Sequence, residues 1–403
     1  MERYKYRAYN SKGRPIKGVI SAVNETDLFN QLQSAGLELV SCAPVSTKAS
    51  AGIGVRKKVS TRDLIQLFIA LEQMQDAGVP MLDALGDIRE GMDNQALRDI
   101  VADVHRNVTE GSSLSDAMAN HGKVFGNLYI ALIRAGEGTG DLTKSYRQLI
   151  KYLKWVDAMH SKIKKATRYP MILGIAVILT CVVMMGYVVP QIVGFIAGLG
   201  QELPFYTTAL VATSEFFQSY WWVILLAPVA FVVAVKVLKK SSSEFAYRSD
   251  ALMLKVPVMG NLIRKISIAR YSQTFASLYS SGIDIINCLK ASQETITNLA
   301  IIEALEVTQA QVQIGSPLSA AFNSSGEFPS LVIRMVRIGE ESGNLTPVFD
   351  QISEFYTRDV DEAVEGMIAM IEPALTLLLG GMILWIAAGV FGPIYSSFQN
   401  IDF

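Results

Sequence analysis

The segment FGNLYIALIRAGEGTGDL at residues 125–142 returns 203 residues later as FPSLVIRMVRIGEESGNL at residues 328–345. The similarity extends outward, because LEQMQDAGVPMLDAL at 71–85 returns 204 residues later as FASLYSSGIDIINCL at 275–289. The two offsets differ by one, so a single residue is deleted within a long match. Similarity at a fixed spacing over this length predicts an internal duplication, in which one structural unit occurs twice in the chain.

Each copy is predicted to form a bundle of six helices. The first copy opens with the capping-box pattern Ser60-Thr61-Arg62-Asp63, and leucines follow at three- and four-residue spacing. Glycines separate the helical segments that come next. The sixth helix begins near Asp141 and meets no breaker before Pro170, which predicts a length of about 40 Å. We call residues 141–168 the basic stem and residues 345–372 the acidic stem.

Three long stretches contain no charged residue: 169–201, 216–235 and 373–401. A helix needs roughly 20 apolar residues to cross a bilayer, so each stretch is long enough for a membrane span. Burial of the same helices in the core of a soluble protein is the alternative. The sequence favours three spans, because charge-free runs of this length are otherwise hard to explain.

The distribution of basic residues predicts the orientation of the spans. All 36 lysines and arginines lie outside 169–235 and 373–403. Basic residues stay on the cytoplasmic side of a membrane. The amino terminus is therefore predicted to be cytoplasmic and the carboxyl terminus to lie outside. The middle span has no counterpart in the repeat. It brings the chain back across the membrane, so that both copies lie on the cytoplasmic side.

The first 45 residues differ from the rest. Tyr4, Tyr6 and Ala8 alternate with polar residues, and a second alternating run begins at Ile16 after a predicted turn. A short helix over 25–35 and a final strand complete a small ββαβ module. The expected fold is thus mainly α, a polytopic membrane protein with two tandem cytoplasmic six-helix bundles, three transmembrane helices and a small N-terminal α+β module. The predicted divisions are the N-terminal module 1–45, a linker 46–59, helical bundle repeat 1 at 60–168, a first span 170–193, a periplasmic loop 194–215, a second span 216–236, helical bundle repeat 2 at 264–372 and a third span 373–396.

The sequence lacks the residue patterns of common enzymes. It has no phosphate-binding GxxxxGK[ST], and the glycine-rich Gly136–Gly140 segment loses a glycine to Glu341 in the second copy, which favours a tight turn over a phosphate site. The three histidines show no metal-ligand spacing, and the three cysteines lie over a hundred residues apart. The net charge of −1 gives no attraction for nucleic acid. We therefore expect no cofactor, no metal and no catalysis. A transporter is also disfavoured, because no ionisable residue lies within the spans.

The repeated motifs resemble those of the type II secretion system F / type IV pilus inner-membrane platform protein family over essentially the whole chain. The resemblance departs at Asp284, where many members have a proline as this chain does at Pro80. The motif residues expected to contact partners are Gly78, Pro80, Gly136, Glu137, Gly140, Leu142, Gly282, Gly339, Glu340, Gly343 and Leu345. The residues expected where the stems enter the membrane are Arg168, Pro170, Pro190, Glu372, Pro373 and Pro393.

The resemblance implies a non-enzymatic platform in the bacterial inner membrane. Its expected partners are a cytoplasmic secretion or pilus ATPase, pilins or pseudopilins, other inner-membrane assembly proteins and the lipid bilayer, and it is expected to be a homo-oligomer. The alternative is a membrane scaffold or an oligomeric transporter of an unrelated type.

The two stems carry opposite charge. The basic stem has eight lysines and arginines and two acidic residues, whereas the acidic stem has seven acidic residues and one arginine. We expect them to lie side by side, within one chain or between neighbours, with Arg168 near Glu372. In the alternative, the basic stem contacts anionic lipid and the acidic stem is solvated.

Overall fold

The computed structural model describes residues 2–10, 15–22, 29, 33, 37–44, 58–191, 194 and 205–399. The chain divides into two compact units, residues 1–58 and residues 59–403. The smaller unit contains the described strands, and the larger one is helical throughout.

The N-terminal unit contains a three-stranded antiparallel sheet in the order β2-β1-β3, built from β1 (Glu2–Asn10), β2 (Pro15–Ala22) and β3 (Leu37–Pro44). Tyr4 pairs with Ile20 and Ala8 with Ile16, which agrees with the two alternating runs in the sequence. Ala8 is fully buried, as its place in the alternation predicts. The predicted turn after β1, most of the predicted helix over 25–35 and nearly all of the predicted linker lie outside the described residues.

The helices of the larger unit follow the order of the sequence repeat. The first copy contains α1 (Thr61–Asp76), α2 (Met81–Gly91), α3 (Gln95–Thr109), α4 (Leu114–Ala119), α5 (Asn127–Thr139) and α6 (Leu142–Val183), which continues into a π-helical turn at Met184–Val188. The connecting helices are α7 (Phe205–Ser241) and α8 (Ser243–Lys255). The second copy contains α9 (Met259–Ser280), α10 (Ile285–Gln293), α11 (Leu299–Gln313), α12 (Leu318–Ser325), α13 (Ser330–Glu341) and α14 (Leu345–Gln399).

Local sequence signals set the helix starts. Ser60 and Asp63 form the predicted capping box, with the Asp63 N–H donating to Ser60 Oγ at 3.2 Å and the Ser60 N–H donating to Asp63 Oδ2 at 2.9 Å.

Residues 205–215 lie in α7, although the sequence placed them in a loop. The rest of that loop, apart from residue 194, lies outside the described residues.

The two copies share one hydrophobic core. A continuous cluster of buried side chains extends from Leu64 in α1 through Tyr146 in α6 to Phe275 in α9 and Val360 in α14. The sequence predicted two tandem bundles and gave no sign of this continuity. The reason is that contacts between the copies join residues about 200 positions apart, which local periodicity does not reveal.

Two helical stretches are long and apolar enough to cross a membrane within the described residues, Leu142–Gln191 and Leu345–Gly392. Within the most apolar 18-residue segment of each stretch, only 17% of the first segment and 11% of the second is buried in the protein. A core helix of a soluble protein would be mostly buried, so this exposure argues against the soluble alternative.

Candidate functional site

The glutamates of the two repeated glycine-rich motifs are bound inside the protein. In the first copy, the N–H groups of Leu114 and Ser115 at the start of α4 donate to the Glu137 carboxylate, the second at 3.3 Å. In the second copy, the Leu318 N–H donates to Glu340 at 2.6 Å and the Ser319 N–H donates at 3.1 Å. Each glutamate thus satisfies N–H groups that the first turn of a helix leaves without partners.

The Ser319 hydroxyl adds a third hydrogen bond to Glu340 at 2.8 Å. The GSxL motif before each fourth helix and the Gly-Glu motif at the end of each fifth helix are therefore parts of one contact. This contact explains why both motifs recur in both copies. It also uses N–H groups of α4 and α12 for a carboxylate, which supports the structural interpretation of the glycine-rich segment over a phosphate site.

The first glycine of each motif allows two helices to pack closely. A Cβ atom on Gly136 would lie 2.5 Å from Ser145 Oγ, and a Cβ on Gly339 would lie 3.0 Å from Val348 Cγ2. Distances this short require Ser145 and Val348, the residues that face the two glycines on α6 and α14, to shift. These two glycines therefore bring the fifth helix of each copy against the stem that follows it.

The last glycine of each motif forms the turn into the stem. Gly140 has φ 74° and Gly343 has φ 68°, a left-handed conformation that side chains other than glycine adopt at a cost. Leu142 is half-buried and Leu345 is buried, so both pack inward after the turn. The exposed residues of these two glycine-rich motifs are 138–141 and 341–344.

The turns between the first and second helices contain the next predicted pair of glycines. Gly78 has φ 78° and Gly282 has φ 84°. Pro80 precedes α2, whereas its counterpart Asp284 caps α10 by accepting the Asn287 N–H at 3.0 Å. These hydrogen bonds hold the pKa of the Asp284 carboxyl below its usual value. The departure from the family pattern thus replaces a rigid turn residue with a side-chain cap.

The two stems lie side by side within one chain. Lys151 Nζ lies 3.0 Å from Asp350 Oδ1, and Lys162 forms a second ion pair with Asp361. Between them, the Trp155 indole N–H donates to Thr357 Oγ1 at 3.1 Å. The hypothesis of stem pairing is therefore supported, and the pairing is intramolecular. Both ion pairs are partly exposed, so they contribute more to register than to stability.

The contacts between the stems differ from the predicted pairing of Arg168 with Glu372. The two ion pairs join residues 199 positions apart and the hydrogen bond of Trp155 joins residues 202 positions apart, whereas the predicted pair is separated by 204 positions. The contacts observed therefore lie two to five residues short of the predicted pairing. Arg168 and Glu372, which the sequence placed together, are both exposed and form no ion pair within the described range 58–191 and 205–399.

The prolines at the ends of the stems do not end the helices. Pro170 lies inside α6 and Pro373 inside α14, so each stem continues directly into its apolar helix. Proline is tolerated in such helices when neighbouring groups satisfy the freed carbonyls. Each stem and its apolar continuation thus form one long helix.

The middle helix α7 supplies hydrogen bonds where Pro190 disturbs the first apolar helix. The Val189 N–H donates to the Met184 carbonyl in the π-helical turn, so the Met185 carbonyl loses its usual partner. The next residue, Pro190, has no N–H to offer. The buried Ser214 hydroxyl donates to the Met185 carbonyl at 2.5 Å.

The same helix makes an equivalent contact near Pro393. In an α-helix the Gly389 carbonyl would accept the N–H of residue 393, which proline lacks. The buried Thr207 hydroxyl donates to the Gly389 carbonyl at 2.8 Å. A Cβ on Gly389 would lie 2.6 Å from Leu210 Cδ2, so this glycine lets α7 approach closely. Pro190 and Pro393, which match each other in the repeat, are thus each accompanied by one buried hydroxyl of α7, the helix that has no counterpart in the repeat.

Asp103 and Cys288, two titratable groups outside the motifs, have shifted pKa values with structural causes. His121 Nε2 lies 2.7 Å from Asp103 Oδ2, and this hydrogen bond holds the pKa of Asp103 below its usual value. Burial raises the pKa of the Cys288 thiol to about 12. No group of three or more metal-ligating side chains occurs within the described residues.

Comparison with known proteins places this arrangement in a family. The model for type II secretion system (T2SS) protein F matches twice, at residues 71–190 and 271–393, and the model for the N-terminal domain of the same protein matches residues 1–43. The chain belongs to the type II secretion system protein F family. The double match agrees with the internal duplication read from the sequence.

Relatives of this protein F family member come from both pilus assembly and secretion. A type IV pilus assembly protein PilC of Thermus thermophilus is 31% identical over 399 residues, which cover 98% of each chain. PilC of Pseudomonas aeruginosa is 29% identical over 351 residues, 87% of this chain and 94% of the relative. The type II secretion system protein F of Vibrio cholerae is 27% identical over 398 residues, 98% of each chain.

Proposed function

We propose that this chain is a non-enzymatic inner-membrane platform of a type IV pilus or type II secretion machine. In this role it couples a cytoplasmic assembly ATPase to the insertion of pilins or pseudopilins into a fibre. The observation that carries the proposal is similarity over nearly the full length to proteins named for pilus assembly and for type II secretion. The stems support it, because each joins a helical domain directly to an apolar helix.

The proposed topology has three spans, a cytoplasmic amino terminus and a periplasmic carboxyl terminus. The middle span is the charge-free part of α7, residues 216–235, which returns the chain to the side of the first copy. Both helical domains, 60–168 and 264–372, then lie in the cytoplasm with all basic residues. The buried hydroxyls of Thr207 and Ser214 support this arrangement, because they hold α7 against both other apolar helices.

The surfaces proposed for the ATPase are formed by the exposed motif residues: 138–141 and 341–344 in the two glycine-rich turns, and Gly78, Pro80 and Gly282 in the turns between the first and second helices. The remaining motif residues are wholly or partly buried and have internal roles. The surface proposed for pilins is formed by the apolar helices that continue the stems, since little of their most apolar segments is buried within the protein.

The test begins with deletion of the gene and complementation by the full chain. Loss of surface fibres or of secreted protein, with normal solute uptake, is the expected result. Loss of uptake with normal fibres and secretion would favour the transporter alternative instead. Photo-cross-linkers at Gly138 and Ser342 should then capture the assembly ATPase, whereas one at the buried Leu345 should not.

A further inference from the structure

Apart from the paired stems, a second contact joins the two copies, and this contact is one-sided. Helix α5 of the first copy packs against α9 and α10 of the second. The Asn127 amide donates to Glu294 Oε2 at 2.6 Å, and an open groove of about 630 Å³ lies alongside. Arg134 lines this groove opposite Asp284. The first copy thus uses its fifth helix, and the second uses the turn between its first two helices.

The repeat provides a twin of each surface. The twin of the α5 surface lies on α13, and the twin of the α9–α10 surface lies on α1 and α2. Leu128 lines the space between the copies and is 4% exposed, whereas its twin Leu331 is 42% exposed. Ile338 is the twin of the groove residue Ala135 and is 59% exposed. The α13 surface is therefore apolar and uncovered, although its twin is an interface.

The uncovered twins carry opposite charges. The groove positions on α13 are occupied by Arg334 and Arg337, and those on α2 by Asp83, Asp87 and Glu90. All five side chains are exposed, and neither arginine has an ion-pair partner within the described residues. The charges are less complementary in the internal groove, where the first copy contributes one arginine and the second contributes two carboxylates and a lysine. Opposite potentials on two surfaces favour their association and fix its register.

We propose that the α13 surface of one chain docks on the α1–α2 surface of a second copy of this chain. The contact repeats between molecules the one-sided contact that α5 makes with α9 and α10 within each molecule, without the pairing of the stems. Such a head-to-tail interface can be propagated, since each chain keeps one free surface of each kind. In this contact Ser330 faces Glu90 of the second copy, as Asn127 faces Glu294 within one chain. The proposal rests on the internal repeat and does not depend on the proposed function.

Cysteine cross-linking of the full chain in native membranes tests the contact. The native cysteines are replaced by alanine, and Ser330→Cys and Glu90→Cys are placed on two chains with different tags. A short bifunctional thiol reagent should give a linked pair that carries both tags, and either variant alone should not. The matched control, Asn127→Cys with Glu294→Cys on one chain, should give an intramolecular link without a dimer.

Charge reversal distinguishes a specific contact from crowding. Reversal of both arginines on α13 to glutamate should lower the yield of the linked pair about tenfold, and reversal of Asp83 and Asp87 on the other chain should restore it. The intramolecular control link should be unchanged, which shows that the variants still fold. The proposal is overturned if the control forms while the linked pair is absent. It is also overturned if charge reversal leaves the yield of the linked pair unchanged, or if α13 is cross-linked to a different protein.

Discussion

Replacement of Glu340 by glutamine tests whether the glycine-rich motif is a structural contact. Its carboxylate accepts two backbone N–H groups of α12 and the Ser319 hydroxyl. Glutamine keeps one acceptor oxygen but presents an NH2 group to the remaining donors. A hydrogen bond to a charged group is worth about 1.5–3 kcal/mol. Glu340→Gln should therefore destabilise the protein by roughly 2–3 kcal/mol.

That loss corresponds to a fall in Tm of about 3–4 °C for a unit of this size. Thermal unfolding of the detergent-purified full chain, followed by intrinsic fluorescence, measures it. The control is Glu341→Gln, which removes an exposed neighbouring carboxylate without a described partner and should leave Tm unchanged. Glu137→Gln should give a smaller fall than Glu340→Gln, because Glu137 receives no hydroxyl hydrogen bond from Ser115.

Equal Tm values for Glu340→Gln and Glu341→Gln would refute this reasoning. Loss of fibres in Glu340→Gln with an unchanged Tm would also refute it, since the carboxylate would then act on a partner rather than on α12. A parallel measurement of fibre assembly in cells separates these outcomes.

Other variants test the remaining contacts. Gly136→Ala should cost about 1–3 kcal/mol in detergent unfolding, whereas Gly138→Ala, which meets no neighbour, should be neutral or slightly stabilising. Asp284→Asn should be less stable than the wild type at pH 7. Because folding lowers the pKa of Asp284, that difference should persist above pH 4 and vanish as the carboxyl protonates in more acidic solution. Thr207→Val should lower Tm in detergent by leaving a carbonyl unpaired, and Thr207→Ser should restore it; equal Tm values would remove the proposed role. In a chain whose Cys42 and Cys181 are replaced by alanine, a maleimide should react with the Cys288 thiol only after unfolding, and fast labelling of the native chain would contradict its burial.

Features encoded by local patterns could be predicted from the sequence. The capping box at Ser60 and the glycine turns set the helix order, and the repeat gave the correspondence between the copies. The helical conformation of residues 205–215 was missed because the span was placed by the absence of charge, and Glu215 interrupts the charge-free run. Pro170 was taken as the end of the stem helix, yet the helix continues through it to Val183. Proline within an apolar helix is tolerated when neighbouring groups satisfy the carbonyl that it frees.

Features that depend on distant contacts could not be predicted. The charges of the stems indicated pairing, but which residues meet depends on how the cores of the two copies join, and the ion pairs form at Lys151–Asp350 and Lys162–Asp361 instead of at Arg168–Glu372. The sequence marked Glu137 as a motif residue without revealing that it caps α4, because the capped N–H groups lie 22 and 23 residues away. The hydroxyls of Thr207 and Ser214 gave no signal at all, since their acceptors are backbone carbonyls of other helices.

The most direct test of the whole account reverses the charges of the paired stems. Lys151→Glu with Lys162→Glu should impair fibre assembly or secretion, and so should Asp350→Lys with Asp361→Lys. All four substitutions together should restore the lost activity, because both ion pairs form again with exchanged signs. If the fourfold variant is no more active than either double variant, at equal amounts of protein in the membrane, then the stems do not act as a pair.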